Sequence, residues 1–165
     1  MQMAVTFRPL QHTDAALLQC LYHDARLMRF IANPCDIDLQ SLLNSMVDAM
    51  AKPKPTFCYW VVEQIGGQPL GLVSATQIHW QHRHAELGIM LLPSFQGKGI
   101  AKQVFSQLIT RMFQQDLDCL YSRMLTTNLP AQRLVRQCGM VPCEAPYDAA
   151  QGMYWVKREH PTVAK

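Results

Sequence analysis

The stretch AELGIMLLPSFQGKGIAKQVFSQLITRMFQQ, residues 85–115, predicts a buried strand, a turn rich in Gly and Lys, and an amphipathic helix. The first amides of a helix lack partners within that helix, and the helix dipole places partial positive charge at the same end. The glycines let the backbone approach a ligand closely, and Lys98 and Lys102 add positive charge. We therefore expect this turn to bind an anion through six residues: Gln96, Gly97, Lys98, Gly99, Ile100 and Ala101.

The charge pattern around this turn favours the same interpretation. No acidic residue occurs between Glu86 and Asp116, although the first turn of a helix usually attracts Asp and Glu. A P-loop is excluded because Lys98 is followed by Gly99 and not by Ser or Thr. A Rossmann fingerprint is excluded because Lys102 stands where Gly or Ala is required. The remaining alternative is a glycine-rich turn that only joins the strand to the helix.

Composition limits the classes of protein that need to be considered. The chain has 165 residues, of which 49% are hydrophobic, so we expect one domain over residues 1–165 with one sizeable core. A net charge of +3 is too small for a dedicated nucleic-acid binder. The six cysteines form no CxxC pair and no zinc-ligand spacing with the six histidines, which predicts reduced core thiols and no metal. With no targeting segment and no long apolar run, we expect a soluble cytoplasmic protein without membrane contact.

The rest of the chain predicts strands and helices in irregular alternation. Strand patterns lie at 5–8, 59–64, 70–79, 120–125, 140–144 and 153–157, with a Gly66-Gly67 hairpin turn between the second and third. Helical spacing predicts helices over 16–28 after a cap at Thr13 or Asp14, over 39–50 after Asp36 or Asp38, and over 128–138. Strands outnumber helices, which predicts an α/β or α+β domain whose mixed sheet carries helices on its faces.

Three motifs together identify a family. They are FRPL at 7–10 with YHDARLMRFI at 22–31, the Gln-x-x-Gly-x-Gly/Ala signature met by Gln96, Gly99 and Ala101, and Asn-x-x-Ala at 128–131 ahead of CGM at 138–140. The combination resembles the GNAT N-acetyltransferase superfamily, most closely the branch of ribosomal-protein N-terminal acetyltransferases. The resemblance implies a mostly antiparallel sheet in which the strand of Glu86 and the strand near Leu125 splay apart.

The resemblance also assigns roles to individual residues. It implies that Gln96 through Ala101 hold the pyrophosphate of acetyl-CoA, with help from Lys102. Leu91 and the end of its strand would contact the pantetheine arm, and Asn128 would bind the same arm. A backbone N–H near Met90 would stabilise the oxyanion.

Acetyl transfer to an amine also needs a base, because an ammonium has no lone pair. Glu86, ten positions before Gln96, is the candidate that matches the family, and the alternative is an ordinary solvent-facing strand carboxylate. His79 and His84 are the other candidates for the base.

The proton donor for the leaving thiolate is not the one that the family usually carries. Val135 and Ala131 stand where relatives carry their usual tyrosine or serine. The replacements that remain open are Tyr121, Tyr147, Cys138 and water.

Two functions follow from these expectations. The first is an acetyl-CoA-dependent N-acetyltransferase that moves an acetyl group directly to a primary amine, either a protein N-terminus or a small amine. The alternative, motivated by the missing proton donors, is a non-catalytic module that binds acyl-CoA. Residues 26–56 are expected to form the wall on the acceptor side, where Asp36 and Asp38 either attract a cationic amine or cap a helix. A homodimer is expected by resemblance alone.

Overall fold

The computed structural model describes residues 2–28, 38–147 and 152–162. Within these ranges the strands are β1 Val5–Pro9, β2 Cys58–Gln64, β3 Pro69–His79, β4 His84–Leu91, β5 Cys119–Leu125, β6 Val141–Pro142 and β7 Met153–Glu159. The helices are α1 Ala15–Tyr22, α2 Ala25–Met28, α3 Leu39–Met50, α4 Ile100–Phe113 and α5 Leu129–Gln137, with a short 3₁₀ turn at Pro93–Phe95. None of these helices is both long enough and apolar enough to span a bilayer.

The seven strands form one sheet in the order β1-β2-β3-β4-β5-β7-β6. Every neighbouring pair is antiparallel except β4 and β5, which run parallel. A parallel pair needs a crossover, and α4 supplies it by returning the chain from the end of β4 to the start of β5. The mixed, mostly antiparallel sheet predicted from the sequence is confirmed.

The two central strands separate after a short paired segment. β4 pairs with β5 at only three positions of these fully described strands, the last being Glu86 with Tyr121. β5 nevertheless pairs with β7 along its whole length, so β5 itself stays regular. The Ser122 hydroxyl makes one further link by donating to the Leu87 carbonyl at 2.9 Å. Beyond this link the strands diverge and leave the central gap of the sheet, as the resemblance implies.

Each side of the sheet carries its own apolar cluster. On the side that we call the back face, α4 and α5 pack against strand residues such as Ala85, Leu87 and Leu91. On the front face, α1 and α3 pack against Val61 and Leu72, and Met90 borders the same cluster. Side chains alternate between the faces of a strand, so Glu86 and Gly88 lie on the front face with Met90.

Three local features differ from the sequence-based expectations. The helix predicted over 16–28 is split into α1 and α2, because the Asp24 carboxylate accepts the amides of Arg26 and Leu27 and starts a new helix. Asp14 precedes α1 but bonds Arg8 instead of capping the helix with its side chain. The described cysteines are free thiols. Cys138 is buried and Cys58 packs against the core, whereas Cys119 and Cys143 are partly exposed and Cys20 is exposed, so the prediction of core thiols is wrong for Cys20 and holds fully only for Cys138.

The cap of α3 is settled by the structure. Asp38 accepts the Gln40 amide at 3.2 Å and the Ser41 hydroxyl at 2.6 Å. The other predicted cap, Asp36, lies outside the described residues, as does Cys35.

Candidate active site

The predicted anion-binding turn connects the end of β4 to α4. Gly97 and Gly99 have φ values of +73° and +76°, and Gly99 is the N-cap residue of α4. No side chain caps this helix and its first turn carries no acid. The backbone amides of residues 97–102 donate no hydrogen bond to any described residue. Six consecutive amide donors are therefore available at the positive end of the α4 dipole.

The two glycines have a conformational role in this turn. A Cβ at either position would meet no protein atom within 4 Å, so neighbouring protein groups do not require glycine there. The left-handed φ does require it, because other residues adopt that region at a cost of about 1–2 kcal/mol. Gln96 anchors the turn, since its Nε2 donates to the Leu91 carbonyl at 3.0 Å. Of the predicted contacts in the helix, Ile100 has a buried side chain and offers only its amide, whereas Lys98 and Lys102 are exposed.

Hydrogen-bond directions along β4 show which backbone groups face the gap. The Leu92 amide donates to Leu70 in β3, and the Leu87 carbonyl accepts from Ser122 in β5. Because successive residues of a regular strand point their backbone groups to opposite sides, Ile89 and Leu91 face the gap and Met90 faces β3. Met90 therefore borders the site with its side chain. The Leu91 side chain is buried in the back-face core.

Asn128 lies across the gap, at the N-terminus of α5. Its side-chain oxygen accepts the Ala131 amide at 3.2 Å and caps the helix, which leaves its Nδ2 group without a described partner. The two positions where the family pattern places a proton donor hold apolar residues with structural roles. Val135 is 2% exposed in the back-face core, and Ala131 supplies its amide to the cap.

Glu86 lies at the point where the gap opens, and both of its carboxylate oxygens are bonded. Arg123 donates from Nε to Oε1 at 2.8 Å, and the Tyr147 hydroxyl donates to Oε2. The Glu86 side chain is only 12% exposed, so it is not an ordinary solvent-facing strand carboxylate. Burial raises the pKa of Tyr147, and the hydrogen bond and negative charge of Glu86 raise it further. The phenol therefore keeps its proton at neutral pH.

Trp155 contacts both Arg123 and Tyr147, so that these three residues and Glu86 form a cluster in which each member contacts two others. The Arg123 guanidinium carbon lies 5.6 Å from the Trp155 ring centroid, and the Tyr147 ring meets Trp155 edge to face at 5.4 Å. We call Glu86, Arg123, Tyr147 and Trp155 the gap cluster. Sequence reasoning found Glu86 and Tyr147 separately and missed the other two. The available signal was an arginine inside the otherwise mostly apolar strand LYSRML.

The histidine candidates for the base form a separate group at the β3–β4 hairpin. His79 and His84 are paired in register with ring centroids 4.7 Å apart, and His82 lies 6.3 Å from both. Burial lowers the pKa of His84, and the two neighbouring rings lower it further. His84 is at the opposite end of β4 from Leu91, about 23 Å away at 3.3 Å per residue. No described cluster of His, Cys, Asp and Glu side chains is arranged to hold a metal ion.

The other two candidates for the proton donor lie outside the gap cluster. Cys138 is 4% exposed in the back-face core, 3.5 Å from the Ser106 hydroxyl. Tyr121 packs edge to face against His84 at 5.6 Å, and burial raises its pKa to about 12. Tyr121 is the register partner of Glu86, but of the three predicted donors only Tyr147 is hydrogen-bonded to Glu86 in the described part of the chain.

Two proteins similar in sequence to this chain are named spermidine N(1)-acetyltransferase. Spermidine N(1)-acetyltransferase of Vibrio cholerae is 27% identical over 145 residues, covering 86% of this chain and 81% of the relative. The Escherichia coli enzyme of the same name is 31% identical over 101 residues, covering 59% of this chain and 51% of its own length.

Solved structures share the fold at lower identity. The Vibrio cholerae spermidine N-acetyltransferase in complex with CoA and spermine gives a TM-score of 0.78 at 22% identity, covering 93% of this chain and 92% of that one. The ribosomal-protein alpha-N-acetyltransferase RimL in complex with coenzyme A gives 0.80 at 16% identity, covering 96% and 95%.

The family model of the acetyltransferase (GNAT) domain matches residues 4–141. This range contains the anion-binding turn, β4, β5 and α5, which are the elements that border the gap. The chain therefore belongs to the GNAT acetyltransferase family and is an acetyltransferase that uses acetyl-CoA.

Proposed function

We propose that this protein transfers the acetyl group of acetyl-CoA directly to a primary amine while both substrates are bound. One observation carries the proposal: the six amides of residues 97–102, which have no hydrogen-bond partner among the described residues, lie at the end of the strand that opens the gap. A diphosphate held there directs the rest of the donor along β4 toward the gap cluster. The donor fits this turn because no acidic side chain occurs in it and two lysines flank it.

The residues along the gap divide the binding of the donor between them. The amides of residues 97–102 bind the pyrophosphate, and Lys98 and Lys102 contribute positive charge. The gap-facing backbone of Leu91 and the Asn128 Nδ2 group bind the pantetheine arm. Because the Met90 amide points toward β3, the structure favours Ile89 as the N–H that stabilises the oxyanion.

The gap cluster supplies a route for the proton. Glu86 Oε2 accepts a proton from the ammonium, and the amine nitrogen then forms the C–N bond as the C–S bond breaks. Tyr147 delivers its phenolic proton to the leaving sulfur and regains one from Glu86 across their hydrogen bond. This scheme assigns the base to Glu86 and the acid to Tyr147. Of the two protons that the nitrogen loses on going from ammonium to amide, one reaches the leaving thiol through this pair and the other passes to solvent.

The acceptor class follows from the relatives named above. Their names include a polyamine acetyltransferase and a protein alpha-N-acetyltransferase, so a primary amine is the acceptor class that they share. The back face of the gap is filled by α4 and α5, which leaves the front face for the amine to approach. A homodimer and a cytoplasmic location belong to the same proposal.

Thiol release tests the proposal. Purified protein is incubated with acetyl-CoA and a panel of small amines and N-terminal peptides, and free thiol is measured with and without each acceptor. We expect acceptor-dependent release and intersecting initial-rate patterns, as for a ternary complex. Binding of acetyl-CoA with no turnover on any acceptor would favour the acyl-CoA-binding alternative, whereas parallel initial-rate lines would contradict direct transfer.

A Glu86→Gln variant tests the proposed base. The amide cannot accept the amine proton, so kcat should fall about 100-fold or more, which is typical for loss of a general base. The affinity for CoA, measured by calorimetry, should stay within twofold because Glu86 is remote from the turn. A Glu63→Gln variant is the control, since Glu63 is also a front-face strand carboxylate bonded to an arginine. An unchanged rate in Glu86→Gln would remove Glu86 from the mechanism.

A further inference from the structure

We propose that the acceptor carries an anionic group, such as a carboxylate, that Arg123 binds while the amine reaches the gap. This inference rests on the proposed function and narrows its substrate class. It is independent of the names of the relatives, because it follows from which charges the front face presents.

Arg123 is fixed in position but is not saturated. It lies on β5 two residues beyond the last residue paired with β4, so it stands at the front opening of the gap. Its Nε is bonded to Glu86, and its guanidinium lies over Trp155. Its terminal Nη groups donate no hydrogen bond to any described residue, and its side chain is 38% exposed. Among the described residues, the fork that matches a carboxylate or phosphate therefore has no partner, and it is already oriented.

The ion pair presents its cation outward. Both oxygens of Glu86 are occupied, one by Arg123 and one by Tyr147, and its side chain is only 12% exposed. A ligand that approaches along the front face therefore meets guanidinium N–H groups before it meets the carboxylate. An anionic group can satisfy these donors without disturbing the Nε bond that holds Glu86.

The other sheltered carboxylates of the described front face also have arginine partners. Asp14 and Glu63 share Arg8, at 2.7 and 2.6 Å, so these three groups keep one net negative charge, and Asp24 pairs with Arg26 at 3.0 Å. A second ammonium on the acceptor would thus find no unpaired, partly buried carboxylate among the described residues. Desolvating that ammonium without a partner is costly, whereas the Nη groups of Arg123, which have no described partner, can bind an anionic tail. The described residues at the gap therefore favour an acceptor whose tail is anionic.

Three acceptors of equal chain length test the inference: 5-aminopentanoate, pentylamine and 1,5-diaminopentane. They differ only in a tail that is anionic, neutral or cationic. We expect kcat/KM to be highest for 5-aminopentanoate, by roughly 10-fold or more over pentylamine, which is typical of a hydrogen bond to a charged group. A preference for the diamine would overturn the inference. Failure to acetylate all three and the wider amine panel, with acetyl-CoA bound, would count against the proposed function itself.

Substitutions at Arg123 test whether this residue causes the preference for an acceptor with an anionic tail. Arg123→Gln should reduce the ratio of kcat/KM between 5-aminopentanoate and pentylamine to about one, and Arg123→Lys should retain part of it because the charge remains without the fork. Arg136→Gln is the matched control, since Arg136 also lies 5.6 Å over an aromatic ring, that of Tyr154. The ratio cancels any general loss of activity. If the ratio is unchanged in Arg123→Gln, Arg123 does not bind the anionic group of the acceptor.

Discussion

At the scale of single residues, Tyr147 offers the clearest test of the proton route. Tyr147→Phe removes only the hydroxyl that donates to Glu86, so we expect kcat to fall about 100-fold while the affinity for CoA is retained. Tyr154→Phe is the matched control, because its hydroxyl is also hydrogen-bonded, to Arg136 at 2.9 Å, but on the back face. Equal losses in both variants, or a loss confined to thermal stability, would show that Tyr147 is structural.

The gap cluster also shows what single residues reveal in a sequence. Glu86 could be predicted because it stands ten positions before the signature glutamine. Its contact with Tyr147 joins residues 61 positions apart, and Arg123 reaches it from a strand 37 positions away. Such contacts depend on the order of strands in the sheet, which local patterns do not determine. The sequence therefore indicates a candidate base and a candidate acid without showing that they touch.

Among the secondary-structure elements, the N-terminus of α4 allows us to predict how a glycine substitution changes CoA binding. Gly99→Ala forces alanine into a left-handed φ, so the free energy of unfolding should fall by about 1–2 kcal/mol. Gly67→Ala, in the β2–β3 hairpin at φ +86°, should cost a similar amount of stability. Only Gly99→Ala should also weaken CoA binding, by about 10-fold, because the amides of the turn move. Calorimetric titration of both variants measures this, and equal affinities would refute the assignment of the turn.

Most elements could be predicted because their signals are local. Strand alternation, the Gly66-Gly67 turn and the proline at the start of α5 lie within a few residues of the features they predict. The break between α1 and α2 could not be read this way, since apolar spacing continues through it. The FRPL motif gains its explanation only from the fold, where Arg8 joins β1 to Asp14 before α1 and to Glu63 in β2.

At the scale of the whole molecule, the two faces of the sheet divide the proposed task. The proposed donor-binding turn belongs to the back face through α4, whose buried side chains secure the helix to the sheet. The gap cluster belongs to the front face, where an acceptor can approach. In this proposal, the donor and the acceptor meet in the gap between β4 and β5. Family membership could be predicted from three local motifs, of which the turn is one, whereas acceptor preference depends on charges that several strands bring together.

Binding at the turn should stabilise the whole fold, because a ligand that binds only the native state shifts the unfolding equilibrium. At a CoA concentration 100 times Kd the gain is about 2.7 kcal/mol, which raises Tm by about 5–10 °C for a chain of this size. We expect Lys98→Ala to shrink this shift at the same CoA concentration, since it removes a charge beside the six amides. Lys52→Ala is the control, because Lys52 is also exposed but lies after α3. The shift should also fall as salt rises, since exposed charges are screened. Absence of any Tm shift at millimolar CoA would contradict the assignment of the turn as the donor site. If the Tm shift fell equally in both lysine variants, the effect of Lys98 would come only from the net charge of the protein.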